Sequence, residues 1–263
     1  MNIREVTERL DNGLYTKPND IFDIFISLEK WFSVPNLRMN TGNLIYRARL
    51  VDDISQITNP RELSYTPPKY NKTFKRASSP NHTMFYGISG DSHTERICGC
   101  LAEICDCFRN NNPQHNHYNV AVAVWETTCE LVLPQIINID GINKSDAFRN
   151  ASEYTSLLSS FDNAGYDIIN FWRFMNKEFT KLVNKEEEYW ISAMFTEWLV
   201  NRLGYNGVIY ESVQSTDPKL KNNHCVALRP DIADKHLQFK KSFHFEFDFC
   251  GDTVELIPKD LVI

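Results

Sequence analysis

Residues 242–250 read Ser-Phe-His-Phe-Glu-Phe-Asp-Phe-Cys. The alternation is strict. Phe243, Phe245, Phe247 and Phe249 share one face of an extended strand, and His244, Glu246 and Asp248 share the other. A period of two with one aromatic face describes a strand that buries one side; it does not suit a helix. Gly251-Asp252 follows, a pair suited to a two-residue type II′ turn, and 253–257 is expected to return as the partner strand. The end of the chain therefore predicts an antiparallel hairpin, with its phenylalanine stripe serving as core. An isolated hairpin is marginal in water, so it must pack on something.

Working outward, strands and helices are interspersed without a regular βαβ rhythm, which predicts an α+β fold. Period-two or apolar runs at 43–51, 84–87, 118–126, 130–138, 206–214 and 224–229 read as strands, with Pro134 suiting an edge or a break. Helical spacing over 21–32, with Asp20 as N-cap, predicts a helix near the N-terminus. Ser92 and Glu95 form a capping box for a helix over 92–108 whose buried stripe is Ile97, Leu101, Ile104, Cys105 and Phe108. Further helices are expected at 145–160, 170–183 and 189–203, the last stopped by Gly204. Residues 52–83 are polar and proline-containing and read as a long loop, a kind of segment that often carries function.

The 263 residues include 42% hydrophobic and 24% charged side chains, so the chain is globular rather than disordered. No apolar run approaches the ~18 residues of a membrane span. The net charge of −6 argues against a general nucleic-acid binder, but leaves room for a local cationic pocket. Neither a GxGxxG nor a Walker loop is present, which removes nucleotide sites built on glycine-rich loops. The N-terminus lacks an apolar signal core, and seven cysteines suit a reducing compartment, so a cytoplasmic location is expected.

Four features could carry chemistry: Arg47 on a strand, the basic loop running from Arg76 to Tyr86, Glu103 on a helix and Ser212 on a late strand. Each alone has an ordinary structural explanation. Together, in this order, the sequence resembles the RES-domain family, named for its arginine, glutamate and serine. Ile45-Tyr-Arg-Ala-Arg49 carries the early arginine as Arg47. The stretch from Lys75 to Ile88 resembles the loop arginine leading to a strand tyrosine, giving Arg76 and Tyr86. Cys100-Leu-Ala-Glu-Ile104 matches the Leu-Ala-Glu helix, giving Glu103. Asn206-Gly-Val-Ile-Tyr-Glu-Ser-Val-Gln214 gives Ser212. The sequence departs from the family at Lys75, where a glycine is usual, at Ser78 in place of an asparagine, and around Asn81 and His82.

The resemblance implies an ADP-ribosyltransferase-like mixed or antiparallel β core with flanking helices. It also implies an activity that degrades NAD, as in the toxins of toxin–antitoxin pairs. NAD is then substrate rather than cofactor, and no metal is needed. Its pyrophosphate is a target for guanidinium forks, with Arg47 and Arg76 as candidates and Arg49, on the same strand face as Arg47, as alternative or second ligand. The nicotinamide is a flat cationic ring that can stack on Tyr86. Cleavage of the C1′–N bond makes an oxocarbenium-like ribose, which the carboxylate of Glu103 would stabilise. Ser212, sharing a face with Val208 and Tyr210, would hold a ribose hydroxyl or the carboxamide. Glu95 is accounted for by its cap, and Glu211 points to the opposite face from Ser212.

Cys98, Cys100, Cys105 and Cys107, with His115 and His117 beyond, have no zinc-finger spacing, and on a helix the four thiols divide between two faces, so buried thiols without metal are expected. The organisation predicted is an N-terminal helical extension (1–40), a RES-like catalytic domain (41–230) and the C-terminal hairpin (231–263) packed on it. Hydrolysis or phosphorolysis of NAD is the leading function. A mono-ADP-ribosyltransferase acting on a protein or nucleic acid is the alternative, and a silent binding protein on the same scaffold is the third. Candidate partners are NAD, an antitoxin protein and a second copy of the chain, with no membrane.

Overall fold

A computed structural model describes residues 1–28, 34–108, 117–139, 162–212, 223–248 and 256–263, and shows an α+β arrangement of helices and antiparallel strands. Helices α1 (Ile3–Asp11) and α2 (Pro18–Ile26) lead into β1 (Asn36–Met39) and β2 (Leu44–Leu50). After a loop containing short 3-10 turns come β3 (Phe85–Ser89), α3 (His93–Ile104), β4 (His117–Thr127) and β5 (Leu131–Pro134). Helices α4 (Asp162–Thr180) and α5 (Trp190–Glu197) precede β6 (Gly207–Glu211), β7 (His224–Leu228), α6 (Pro230–His236), β8 (Leu237–Asp248) and β9 (Lys259–Leu261).

Seven strands form one sheet in the order β6-β7-β3-β2-β4-β8-β9, and every neighbouring pair is antiparallel. Strands β1 and β5 make a separate antiparallel pair, joined to the sheet by a parallel bridge between Gln135 and Ile209. The period-two pattern divides the core between the two faces of the sheet. Val120, Val122 and Val124 of β4 and Phe243, Phe245 and Phe247 of β8 belong to the larger core, which the helices cover. Ala121, Ala123 and Trp125 turn to the smaller core on the other face. Burying a phenylalanine is worth roughly 1.5–3 kcal/mol, so the stripe of β8 is a principal anchor of this end of the sheet.

β8 departs from the expected hairpin. It starts at Leu237, and its long pairing is with β4, whose valine row faces its phenylalanines; this tertiary partner is remote in sequence. The return strand β9 begins at Lys259, beyond the predicted 253–257. Its register, Ser242 opposite Leu261, is the one a two-residue turn at 251–252 sets, although that turn and Phe249 lie outside the described residues.

Helix boundaries differ for local reasons. α2 starts at Pro18, whose fixed φ suits a first turn, and Asp20 sits inside that turn, accepting from the Thr16 and Lys17 amides. α3 keeps its Ser92–Glu95 capping box but stops at Ile104 instead of 108. Cys105 is extended, and the Asp106 carboxylate in the next turn accepts the Tyr118 hydroxyl from β4. α4 begins at Asp162 and ends at Thr180, earlier at both ends than expected. The predicted 189–203 helix is α5 continued by a π-turn, Trp198–Arg202, and it stops at Gly204, whose φ of +77° is left-handed. The expected helix at 145–160 lies outside the described residues.

Helices α1 and α2 share the main core. Val6, Leu10, Ile21, Ile24 and Phe25 are buried in it, and the Phe25 ring lies 5.0 Å from that of Phe195 and 6.1 Å from Trp198. Among the described residues, no helix is long and apolar enough to cross a membrane.

Candidate active site

β2 and β3 meet at one ladder pair, Tyr46 with Ile88. Gly87 permits this approach, since a β-carbon there would collide with Ile45 Cγ2 and stand 3.0 Å from the Tyr46 carbonyl oxygen. Away from that pair the strands part. A cavity of about 500 Å³ opens beside the gap, within the roughly 300–1,000 Å³ common for small-molecule sites. Arg47 from β2, Arg76 from the loop, Tyr86 from β3 and Glu103 from α3 all line it.

α3 is seated by a close approach. Asn223, just before β7, donates its Nδ2 to the Glu95 carbonyl at 2.7 Å, and a β-carbon at Gly99 would stand only 2.6 Å from that nitrogen. One turn later, Glu103 is brought against the ends of β6 and β7. The Ser212 hydroxyl donates to Glu103 Oε1, and Cys225 Sγ lies 3.5 Å from the same oxygen. Burial, with the Glu103 charge beside it, pushes the Cys225 thiol well up, so it stays neutral and can donate. Cys100, on another wall of the cavity, is pushed up for the same two reasons. Ser212 is 5% exposed and does not line the cavity. Its hydroxyl orients the Glu103 carboxylate.

Arg47 lies by register with Ile45 on the smaller-core face, but its guanidinium occupies the gap. Nε donates to the Ser64 carbonyl at 2.9 Å and Nη1 to the Tyr86 carbonyl at 2.6 Å, bridging the parted strands. Burial pulls its pKa down to about 10, which leaves it cationic at neutral pH. Among the described residues no carboxylate pairs with it. Arg49 does not line the cavity: it is exposed, and its Nη1 donates to the Glu62 carbonyl at 2.5 Å.

Arg76 lines the cavity, yet its fork is engaged. Nη1 donates to the Phe179 carbonyl at 2.6 Å and Nη2 to the Lys181 carbonyl at 3.1 Å, and the guanidinium lies over the Tyr189 ring. These carbonyls end α4, where a cation also suits the helix dipole. Tyr86 presents its ring to the cavity while its hydroxyl donates to Ser78 Oγ at 2.9 Å and accepts the Ala77 amide at 3.2 Å. Burial pushes its pKa up to about 12, so it remains a neutral hydrogen-bonding group.

Sequence reasoning missed Lys75, Tyr189, Tyr210 and Cys225 as wall residues. The signal for Lys75 was its place in a basic loop, and for Cys225 the period-two face it shares with Ala227. The four clustered cysteines disperse because α3 ends between them: Cys100 faces the cavity, while Cys105 and Cys107 sink into the core. Among the described residues, no group of three or more His, Cys, Asp or Glu side chains is arranged to hold a metal ion, and His115 lies outside those residues. No family model matches the chain, and no curated protein matches it in sequence.

Proposed function

We propose that the chain is a RES-like enzyme, on an ADP-ribosyltransferase-like core, that degrades NAD by cleaving the nicotinamide–ribose bond. The observation that supports this most strongly is convergence. Arg47, Arg76, Tyr86 and Glu103 are far apart in sequence, yet they line one cavity, with Ser212 bonded directly to Glu103. A cavity lined by cations, an aromatic ring and a fixed carboxylate suits a substrate that pairs a diphosphate with a cationic ring on a sugar.

In the reaction the C1′–N bond breaks and its electron pair goes to the ring nitrogen, releasing neutral nicotinamide. The ribose carbon gains positive charge, and Glu103 faces it with a carboxylate already oriented by Ser212 and Cys225. Such preorganised charge stabilises the transition state more than the ground state. Water or phosphate then adds its oxygen to C1′ and gives up a proton. The test is purified protein with NAD, following nicotinamide and ADP-ribose. Release without an acceptor supports the proposal. Release only when a protein or nucleic-acid acceptor is added means transfer instead, and none at all means a binding protein.

A further inference from the structure

Tyr210 of β6 lines the cavity with an unspent hydroxyl. The residue is 5% exposed, and its ring is held 5.2 Å from that of Phe179, whose carbonyl Arg76 caps. Among the described residues the hydroxyl has no hydrogen-bond partner, yet it is not one of the polar atoms sealed from solvent. In a side chain otherwise buried, the opening left to that hydroxyl is the cavity. Two other tyrosines of the same wall differ, for Tyr46 bonds His93 and Tyr86 bonds Ser78.

Tyr210 also stands beside the carboxylate. It is the ladder partner of Cys225, whose Sγ lies 3.5 Å from Glu103 Oε1, and Ser212, which donates to that oxygen, follows two residues later, about 7 Å along the chain. The second carboxylate oxygen, Oε2, accepts no bond among the described residues. Burial first, then the neighbouring Cys225, pushes the Tyr210 pKa well up, so its hydroxyl stays neutral. Glu103 thus has neutral neighbours here, and among the described residues no cation pairs with it; Arg47 and Arg76 bond backbone carbonyls on other walls. An anionic nucleophile brought to this place would meet an unneutralised carboxylate, whereas water would meet two acceptors.

We infer that Tyr210 and Glu103 hold the attacking water between them, which makes Tyr210 a further catalytic residue and the reaction a hydrolysis. One hydrogen of the water faces Glu103 Oε2 and the other faces the Tyr210 oxygen, leaving a lone pair for C1′. As the C1′–N bond breaks and its pair goes to the ring nitrogen, the water oxygen bonds C1′. Its proton passes to Glu103 and from there to solvent. The inference rests on the NAD reading and adds the acceptor to it.

The test follows the products formed from NAD with and without inorganic phosphate, and with methanol as a competing nucleophile. The wild type should release nicotinamide equally fast in both buffers and yield ADP-ribose. Tyr210→Phe keeps the ring against Phe179 and should melt as the wild type does. Its kcat should fall about tenfold, the loss of one neutral hydrogen bond, with KM within a few-fold. Its ratio of methyl ADP-riboside to ADP-ribose should rise, because only water loses its holder; a fault in the fold would lower both products together. Release that needs phosphate or another acceptor, an unchanged kcat, or an unchanged product ratio overturns the inference and leaves cleavage of NAD standing. No release by the wild type under any of these conditions overturns both.

Discussion

Arg76→Ala should damage the fold before it damages the chemistry. The guanidinium satisfies the Phe179 and Lys181 carbonyls at the end of α4, where no following helical turn can do so, and it covers the Tyr189 ring. A hydrogen bond from a charged donor is worth roughly 1.5–3 kcal/mol, and water can replace part of that at this half-buried end. The cation–π contact adds about 0.5–1 kcal/mol. The sum, roughly 2–4 kcal/mol, corresponds to a fall in Tm of about 4–8 °C for a chain of this size. Arg76→Lys should recover only part of the loss, because one ammonium cannot span both carbonyls as a planar fork does. Urea and thermal unfolding, with pyrophosphate affinity measured well below the transition, separate the two roles. Wild-type stability combined with abolished affinity would refute the capping argument and return Arg76 to the ligand.

Other outcomes follow from the same geometry. Arg47→Ala should weaken NAD and pyrophosphate binding by about one to two decades, whereas Arg49→Ala, outside the cavity, should leave binding unchanged; the reverse pattern in titrations would place the wrong arginine at the site. Ser212→Ala should lower turnover about ten- to a hundredfold with little change in KM, since a bond to a charged acceptor is lost. Cys225→Ala should cost less, a thiol being a weak donor, and Cys225→Ser should restore the rate. Buried His224 has its pKa pulled down to about 4 from 6.5 by burial, so the unfolded chain takes up the proton first as pH falls. Its contribution is therefore full above about pH 6.5 and is lost towards pH 4, by roughly 3 kcal/mol. The stability difference between wild type and His224→Gln should shrink across that window in urea titrations, and a pH-independent difference would refute the assignment.

Much of the sheet was legible because its strands carry period-two patterns. Val120–Val124 and the β8 phenylalanines announce both strand and buried face. The loop of about thirty residues before β3 announced itself by composition, but not the turn at 75–78 that carries Lys75 and Arg76 to the cavity. Helix ends were misread where tertiary bonds decide them, as at Asp106 with Tyr118. β1 was missed because its alternation, Asn36-Leu-Arg-Met39, runs for only four residues, too short to stand out as a strand. At the site, the resemblance selected four residues that the fold does bring to one cavity. What it could not supply was the division of labour within each motif. Whether an arginine holds a ligand or a helix end depends on which carbonyls lie within reach, and those of Phe179 and Lys181 are more than a hundred residues away from Arg76.

Whether the Glu103 carboxylate stabilises a developing ribose cation is decided by NAD affinity and nicotinamide release measured on Glu103→Gln. The glutamine amide keeps a hydrogen-bonding group where Ser212 and Cys225 converge, but removes the charge that matters once C1′ becomes positive. The variant should keep a Kd for NAD within a few-fold of wild type and an unchanged Tm, and should release nicotinamide more slowly by about 10²–10³, equivalent to roughly 2.7–4 kcal/mol of transition-state stabilisation. Release at the wild-type rate would contradict it and take Glu103 out of the chemistry.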